Sequence, residues 1–108
     1  MKNFRTLDLA IEFYDKIEGQ KISGHLRDQI LRAASSVSLN LAEGNAKRSV
    51  KEKKRFYQTA YGSIQECKVI LKLAKIEDPE IIDKADKLAA WIFNLLKSEI
   101  TALEFQNT

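Results

Sequence analysis

Residues 36–63 read SVSLNLAEGNAKRSVKEKKRFYQTAYGS, and the reading of this stretch decides the fold. Before and into it, Leu26, Ile30, Ala33, Ala34, Val37 and Leu41 recur at steps that a helix gathers onto one apolar face. Gly44 is expected to end that helix in the left-handed conformation. Ser49 then stands three residues ahead of Glu52, the S-x-x-E capping box in which two side chains satisfy backbone amides at a helix start. Phe56, Tyr57, Ala60, Ile64, Cys67, Leu71 and Ala74 carry the helical period onward. Two helices joined by so short a connection should fold back as an antiparallel hairpin.

Toward the N-terminus, Thr6 offers an N-cap for a helix on which Leu7, Ala10, Ile11, Tyr14 and Ile17 recur until Glu18-Gly19. Gly19 to Gly24 reads as a loop, with Ser23 capping the next helix. Toward the C-terminus the third helix runs unbroken to Asp78-Pro79, where proline removes a backbone donor. Asp78 as N-cap and Pro79 at the first position open a fourth helix. Its apolar line is Ile82, Ala85, Leu88 with Ala89, Ile92, Leu96, Ile100 and Leu103. No segment alternates with period two. The predicted fold is all-α, an antiparallel up-down four-helix bundle occupying residues 1–108 as one domain.

Composition points the same way. With 44% hydrophobic and 31% charged residues, the chain of 108 is too apolar to be disordered and too charged to span a bilayer. Four Gly and one Pro are too few for the turns of an all-β domain. Cys67, the only cysteine, cannot form an internal disulfide, and Asp8 and Glu12 interrupt any apolar leader. The expected setting is the cytoplasm, without export or membrane attachment.

Equal rise on the two arms of the hairpin places Gly62 opposite Ala33, Asn40 opposite Arg55 and Glu43 near Glu52. A mid-helix Gly62 costs about 1 kcal/mol against alanine, so it reads as a close approach to Ala33 and Ala34. Glu43 is expected to be held by Arg48 or Arg55 in a polar cluster that fixes the turn. Between Leu88 and Leu96 only Asn94 is polar, so a lone bundle would expose Trp91 or Phe93. That pattern suggests a second copy against the fourth helix, although a central position covered by its own chain would also explain it.

Charge is concentrated in one place. From Lys47 to Arg55, six cations (Lys47, Arg48, Lys51, Lys53, Lys54 and Arg55) face one acid, Glu52; this net +5 leaves −2 for the rest of a +3 chain. Cations in the first turns of a helix oppose its dipole, so another interaction should favour them there. Phosphates of a nucleic acid would do so, and Lys47, Arg48, Lys51, Lys54 and Arg55 are the residues expected to bind them. A solvated face explains the run equally well. Phe56 is expected in the core, which leaves Tyr57 for stacking on unpaired bases.

Catalytic patterns are missing. His25 with Asp28 supplies two ligands where zinc takes three or four, and Cys67 sits on an apolar line without an activating neighbour. Neither G-x-x-x-x-G-K-[ST] nor G-x-G-x-x-G occurs. Asp8, Glu12 and Asp15 share a face with Lys16 and Arg5 nearby, as on an ordinary solvated helix. No enzymatic activity, cofactor or metal is expected.

The run Ser36-Val-Ser-Leu-Asn40-Leu-Ala-Glu43-Gly44, then Lys47-Arg48-Ser49, Arg55-Phe56, Ala60, Gly62-Ser63 and Glu66, resembles a family of four-helix bundle proteins. Its members are encoded in intervening sequences of bacterial large-subunit ribosomal RNA genes, and it is related to the accessory variability proteins of diversity-generating retroelements. The resemblance spans nearly the whole chain. It implies a homopentameric ring, a basic surface that binds RNA or DNA, and no established enzymatic activity. Asn40, Glu43, Gly44, Ser63 and Glu66 match the motif and read as structural markers. Ser38 stands where the family commonly has proline, and Asn45-Ala46 replaces a more glycine-rich turn. The expected function is non-enzymatic, non-specific nucleic-acid binding by a homo-oligomer. The alternative is a protein-interaction scaffold for a nucleic-acid-processing enzyme such as a reverse transcriptase.

Overall fold

The computed structural model describes residues 4–106, with side chains through residue 98. Helices α1 (Arg5–Glu18), α2 (Gly24–Ala46), α3 (Val50–Leu73) and α4 (Pro79–Gln106) follow one another, with no strand among the described residues. Each packs on its chain neighbours and α4 closes back on α1, so the helices stand at the corners of a square. Side-chain pairs give their directions. Lys16 meets Glu80, Glu12 meets Lys84 and Arg5 meets Trp91, so numbers rise along α1 as they fall along α4. Lys68 with Asp86 and Tyr61 with Phe93 relate α3 to α4 in the same way. Ser36 with Ser63 and Gly44 with Tyr57 do so for α2 and α3. The result is the expected up-down bundle, 49 × 25 × 23 Å.

Phe13, Ile17, Ile30, Leu41, Ile64, Ile81, Leu88 and Ile92 fill the core. Each is worth about 1.5–3 kcal/mol against remaining in water. Helix α1 is turned from its expected face, and α4 buries Ala85, Leu88, Ala89 and Ile92 as expected but departs at its start. On α1 the buried stripe is Leu9, Ala10, Phe13 and Ile17, whereas Ile11 is 47% exposed and Leu7 and Tyr14 are half-buried. This helix carries two apolar stripes, and the bundle buries the one with Phe13, leaving at the surface the one whose ring, Tyr14, carries a hydroxyl. On α4 Ile81, not Ile82, is buried. Trp91 is half-buried, with Arg5 Cζ 5.1 Å and Lys87 Nζ 4.7 Å from its ring, and Phe93 is half-exposed against Tyr61. The side chains of Ile100 and Leu103 lie outside the described residues.

Helix ends depart from the sequence reading in instructive ways. Phe4, not Thr6, is the N-cap of α1; its ring packs on the core, 6.5 Å from that of Tyr57, and draws Thr6 inside the helix. Ser23 holds the N-cap position of α2 but makes no side-chain cap hydrogen bond. Arg27 of α2 donates to the Gln20 and Glu18 carbonyls, closing the end of α1 from across the hairpin. At α4 the Asp78 carboxylate accepts from the Glu80 N–H at 2.9 Å, with Pro79 first in the helix, as expected. The third helix stops at Leu73, short of the proline. There Lys75 takes a left-handed φ of 57°, while the Ile76 N–H donates to Leu71 O and the Lys75 N–H to Lys72 O. This is a Schellman closure, with lysine where glycine is usual. Ile76 folds back onto the core and supplies the reason for the stop.

The α2–α3 register also differs. Partners lie about four residues further along α3 than expected, roughly one turn, because Lys47 and Ser49 leave the connection extended (ψ 149° and 140°). Gly44 is therefore inside α2, not a left-handed cap. A Cβ there would stand 2.7 Å from Tyr57 Cε1 and 3.1 Å from Phe56 Cβ. Gly62, by contrast, is exposed, and a Cβ on it would meet nothing within 4 Å. The close approach sits at Gly44, and no contact in the bundle requires Gly62.

Candidate nucleic-acid interface

The opening of α3 fixes the site. The Ser49 hydroxyl accepts from the Glu52 N–H at 3.0 Å, and the helix that follows presents Lys51, Lys54, Arg55 and Gln58 at steps of three and four. These positions point away from the buried line Tyr57, Ala60, Ile64, Cys67 and Leu71. Together with Glu52 they line an open groove of about 350 Å³. Three of the five expected binding residues, Lys51, Lys54 and Arg55, are thus brought together, and Gln58 joins them. The 3-4 spacing that places Gln58 there was visible in the sequence.

The ion pairs of the bundle lie elsewhere. Lys16, Lys68 and Lys84 are paired with Glu80, Asp86 and Glu12. The Glu80 carboxylate raises the Lys16 pKa, first by hydrogen bonding and then by charge. Within the basic segment only Lys47 is in an ion pair among the described residues, and that pair is a loose one, 3.7 Å from Glu43. Glu43 is therefore held by its neighbour one turn on, not by Arg48 or Arg55; Arg55 instead lines the groove and lies against the Phe56 ring. Arg48 is exposed in the connection.

Two residues exchange the roles expected of them. Tyr57 is only 3% exposed and packs against Gly44, so it is a core side chain and cannot stack on a base. Phe56 is half-buried at the edge of α3, with Arg55 Cζ 5.2 Å and Lys47 Nζ 5.3 Å from its ring centroid. The 3-4-3-4 run that begins at Tyr57 was the signal that separates the two. Lys53 has a different task again. Its Nζ donates to the Gly44 and Asn45 carbonyls at 3.2 Å each, which closes the end of α2, a helix with no basic residue in its own last turn.

Below the segment, Asn40 Nδ2 donates to Ser36 O at 2.8 Å and to Ser36 Oγ, and the Ser36 and Ser63 hydroxyls are hydrogen-bonded at 2.9 Å. Ser63 and Ser36 thus tie α3 to α2, and Asn40 holds Ser36 from within α2. Glu66 is exposed. His25 is exposed as well, and no three His, Cys, Asp or Glu side chains converge among the described residues. Burial, and secondarily the charge of Glu66, pushes the Cys67 thiol up to about 12. No described helix is long and apolar enough to cross a membrane.

Residues 4–98 match the family model described as 23S rRNA-intervening sequence protein. No curated protein matches the chain.

Proposed function

We propose, for a chain that belongs to the 23S rRNA-intervening sequence protein family, a non-enzymatic role: non-specific binding of RNA or DNA by a ring of copies. Lys51, Lys54, Arg55 and Arg48 contact phosphates, with Lys47 at the edge. One observation supports this above the others. These four cations lie within residues 48–55, none of them in an ion pair among the described residues, and three of them share one groove with a single acid, Glu52. Phosphates would supply the countercharge that so dense a cluster of cations lacks. Phosphate contacts carry no sequence information, so the binding is non-specific.

Assembly supports the same reading. A closed ring requires two different surfaces on each copy, one for each neighbour. The square of helices offers apolar ones on opposite sides. Ile11 (47% exposed), Tyr14 and Leu39 (65% exposed) surround an apolar hollow of about 210 Å³ between α1 and α2, where the buried Ser38 hydroxyl has no hydrogen-bond partner. Phe93 and Ile82 are exposed along the α3–α4 side. Five copies, the number implied by the family resemblance, would display five basic segments and multiply weak sites by raising the effective concentration.

Anisotropy of labelled RNA and DNA across a salt series tests the binding. The affinity should fall steeply with salt and be lost when Lys51, Lys54 and Arg55 are all changed to Glu. Unchanged binding in that variant overturns the assignment. Molar mass in solution tests the ring, with Leu39→Glu expected to release single chains. The Ile11–Leu39 surface also favours a second reading, a scaffold for another protein. A monomeric chain that ignores polyanions and captures a protein after nuclease treatment would select it.

A further inference from the structure

The reading above rests on charge, which attracts any polyanion; the surroundings of Phe56 narrow the class. We infer that Phe56, with Arg55 and Lys47 against its ring, is a stacking platform for an unpaired base, so that the basic segment takes single-stranded nucleic acid in preference to duplex. This deepens the proposed nucleic-acid binding and depends on it.

Packing does not demand the arrangement. Tyr57 already fills the core position against Gly44, and Phe56 lies to one side of that run, half-buried. Its backbone is firmly set, because Phe56 Cβ is 3.1 Å from where a Cβ on Gly44 would stand. Arg55 lies 5.2 Å from the ring centroid while also lining the groove with Lys51 and Lys54. It therefore joins the aromatic surface to the phosphate-binding one. A planar guanidinium beside an aromatic ring extends the area on which a base can lie. In a duplex the bases are paired and stacked on one another, and only an unpaired base presents its face to a side chain.

Charge separates the two parts of a nucleotide here. The exposed Glu43 carboxylate, 3.7 Å from Lys47 Nζ, already gives that cation a countercharge at the Phe56 end, whereas Lys51, Lys54 and Arg48 have none among the described residues. Phosphates are directed instead toward Lys51, Lys54 and Arg48. Phe93, which is exposed, packs 6.0 Å from Tyr61 on the α3–α4 side, and Trp91 is half-buried with Arg5 and Lys87 against its ring, but neither lines the basic groove.

The test uses the full chain with labelled oligoadenylate of about 12 nucleotides, as RNA and as DNA, against a hairpin duplex of similar charge. Single strands should bind more tightly than the duplex at equal salt. Phe56→Leu should weaken the single strands about tenfold, leave the duplex unchanged and keep the salt slope, because no phosphate contact is removed. Equal loss on both forms, or no loss on either, overturns the inference. Should Phe56→Leu lose its helical circular dichroism, Phe56→Trp decides: tighter single-strand binding with an unchanged duplex supports the platform, and no difference removes it. A chain that binds neither form overturns the proposed function itself. One that binds both alike, indifferent to Phe56, leaves that function standing and removes only the platform.

Discussion

Gly44 of α2 lies directly against the ring of Tyr57 on α3, so close that a Cβ on the glycine would fall 2.7 Å from Cε1 and 2.9 Å from Cδ1. The contact sets how near the two arms of the hairpin come. It also explains why the buried aromatic is Tyr57 and why Phe56 is left at the edge beside the cations.

The glycines at 44 and 62, both inside helices, should respond to alanine with opposite signs. Gly44→Ala gains helix propensity but drives a methyl into a buried ring, and is expected to destabilise by about 1–3 kcal/mol. Gly62→Ala meets open space and should stabilise by about 0.5–1 kcal/mol. Urea denaturation of both variants checks this, and a shared sign would show the register to be wrong.

Adjacent lysines should separate stability from binding. Lys53→Met removes the cap on the Gly44 and Asn45 carbonyls and is expected to cost about 0.5–1.5 kcal/mol, with the salt slope of RNA binding unaltered. Lys54→Met should leave the denaturation midpoint in place and reduce that slope by about 0.7–0.9. Denaturation and salt titration on the same two proteins read both effects.

At Lys75 the backbone is left-handed, which costs a side-chain-bearing residue about 1 kcal/mol. Lys75→Gly should therefore raise the melting temperature, since the Schellman hydrogen bonds of Ile76 and Lys75 use only main-chain atoms. A fall on substitution would mean that the lysine side chain contributes more than its backbone costs.

Cys67 should be inert in the folded protein. Its thiol sits near 12 when folded against 9.0 as a model group, so both states are protonated below about pH 9 and no stability is lost there. Above that the unfolded thiol ionises first, and stability should decline by up to about 1.4 kcal/mol per pH unit from this group alone. The difference in slope between the native chain and Cys67→Ala, measured in urea from neutral to alkaline pH, isolates the effect. Iodoacetamide near neutral pH should label the thiol only once urea has unfolded the chain.

The number, order and type of the helices were legible in the sequence because they follow from local rules. Ser49 with Glu52, and Asp78 with Pro79, mark helix starts through backbone chemistry that acts within a few residues. The clustering of Lys51, Lys54 and Arg55 was equally local, being a matter of steps along one helix. Which apolar stripe of α1 is buried was not legible, because Leu9–Phe13 and Leu7–Ile11 are both helical repeats and only the neighbouring helices choose between them. The same holds for the stop at Leu73, decided by Ile76 returning to the core without any glycine to announce it.

The sequence by itself thus determined four helices, an up-down path and one concentrated block of positive charge, since periodicity, capping and charge are properties of neighbours along the chain. Tertiary structure alone decided the register of α2 against α3, and with it the burial of Tyr57, the exposure of Gly62 and the diversion of Lys53 to a helix end. Those outcomes depend on how closely two backbones approach, and that distance is set where Gly44 admits a ring from a helix whose position no local pattern specifies.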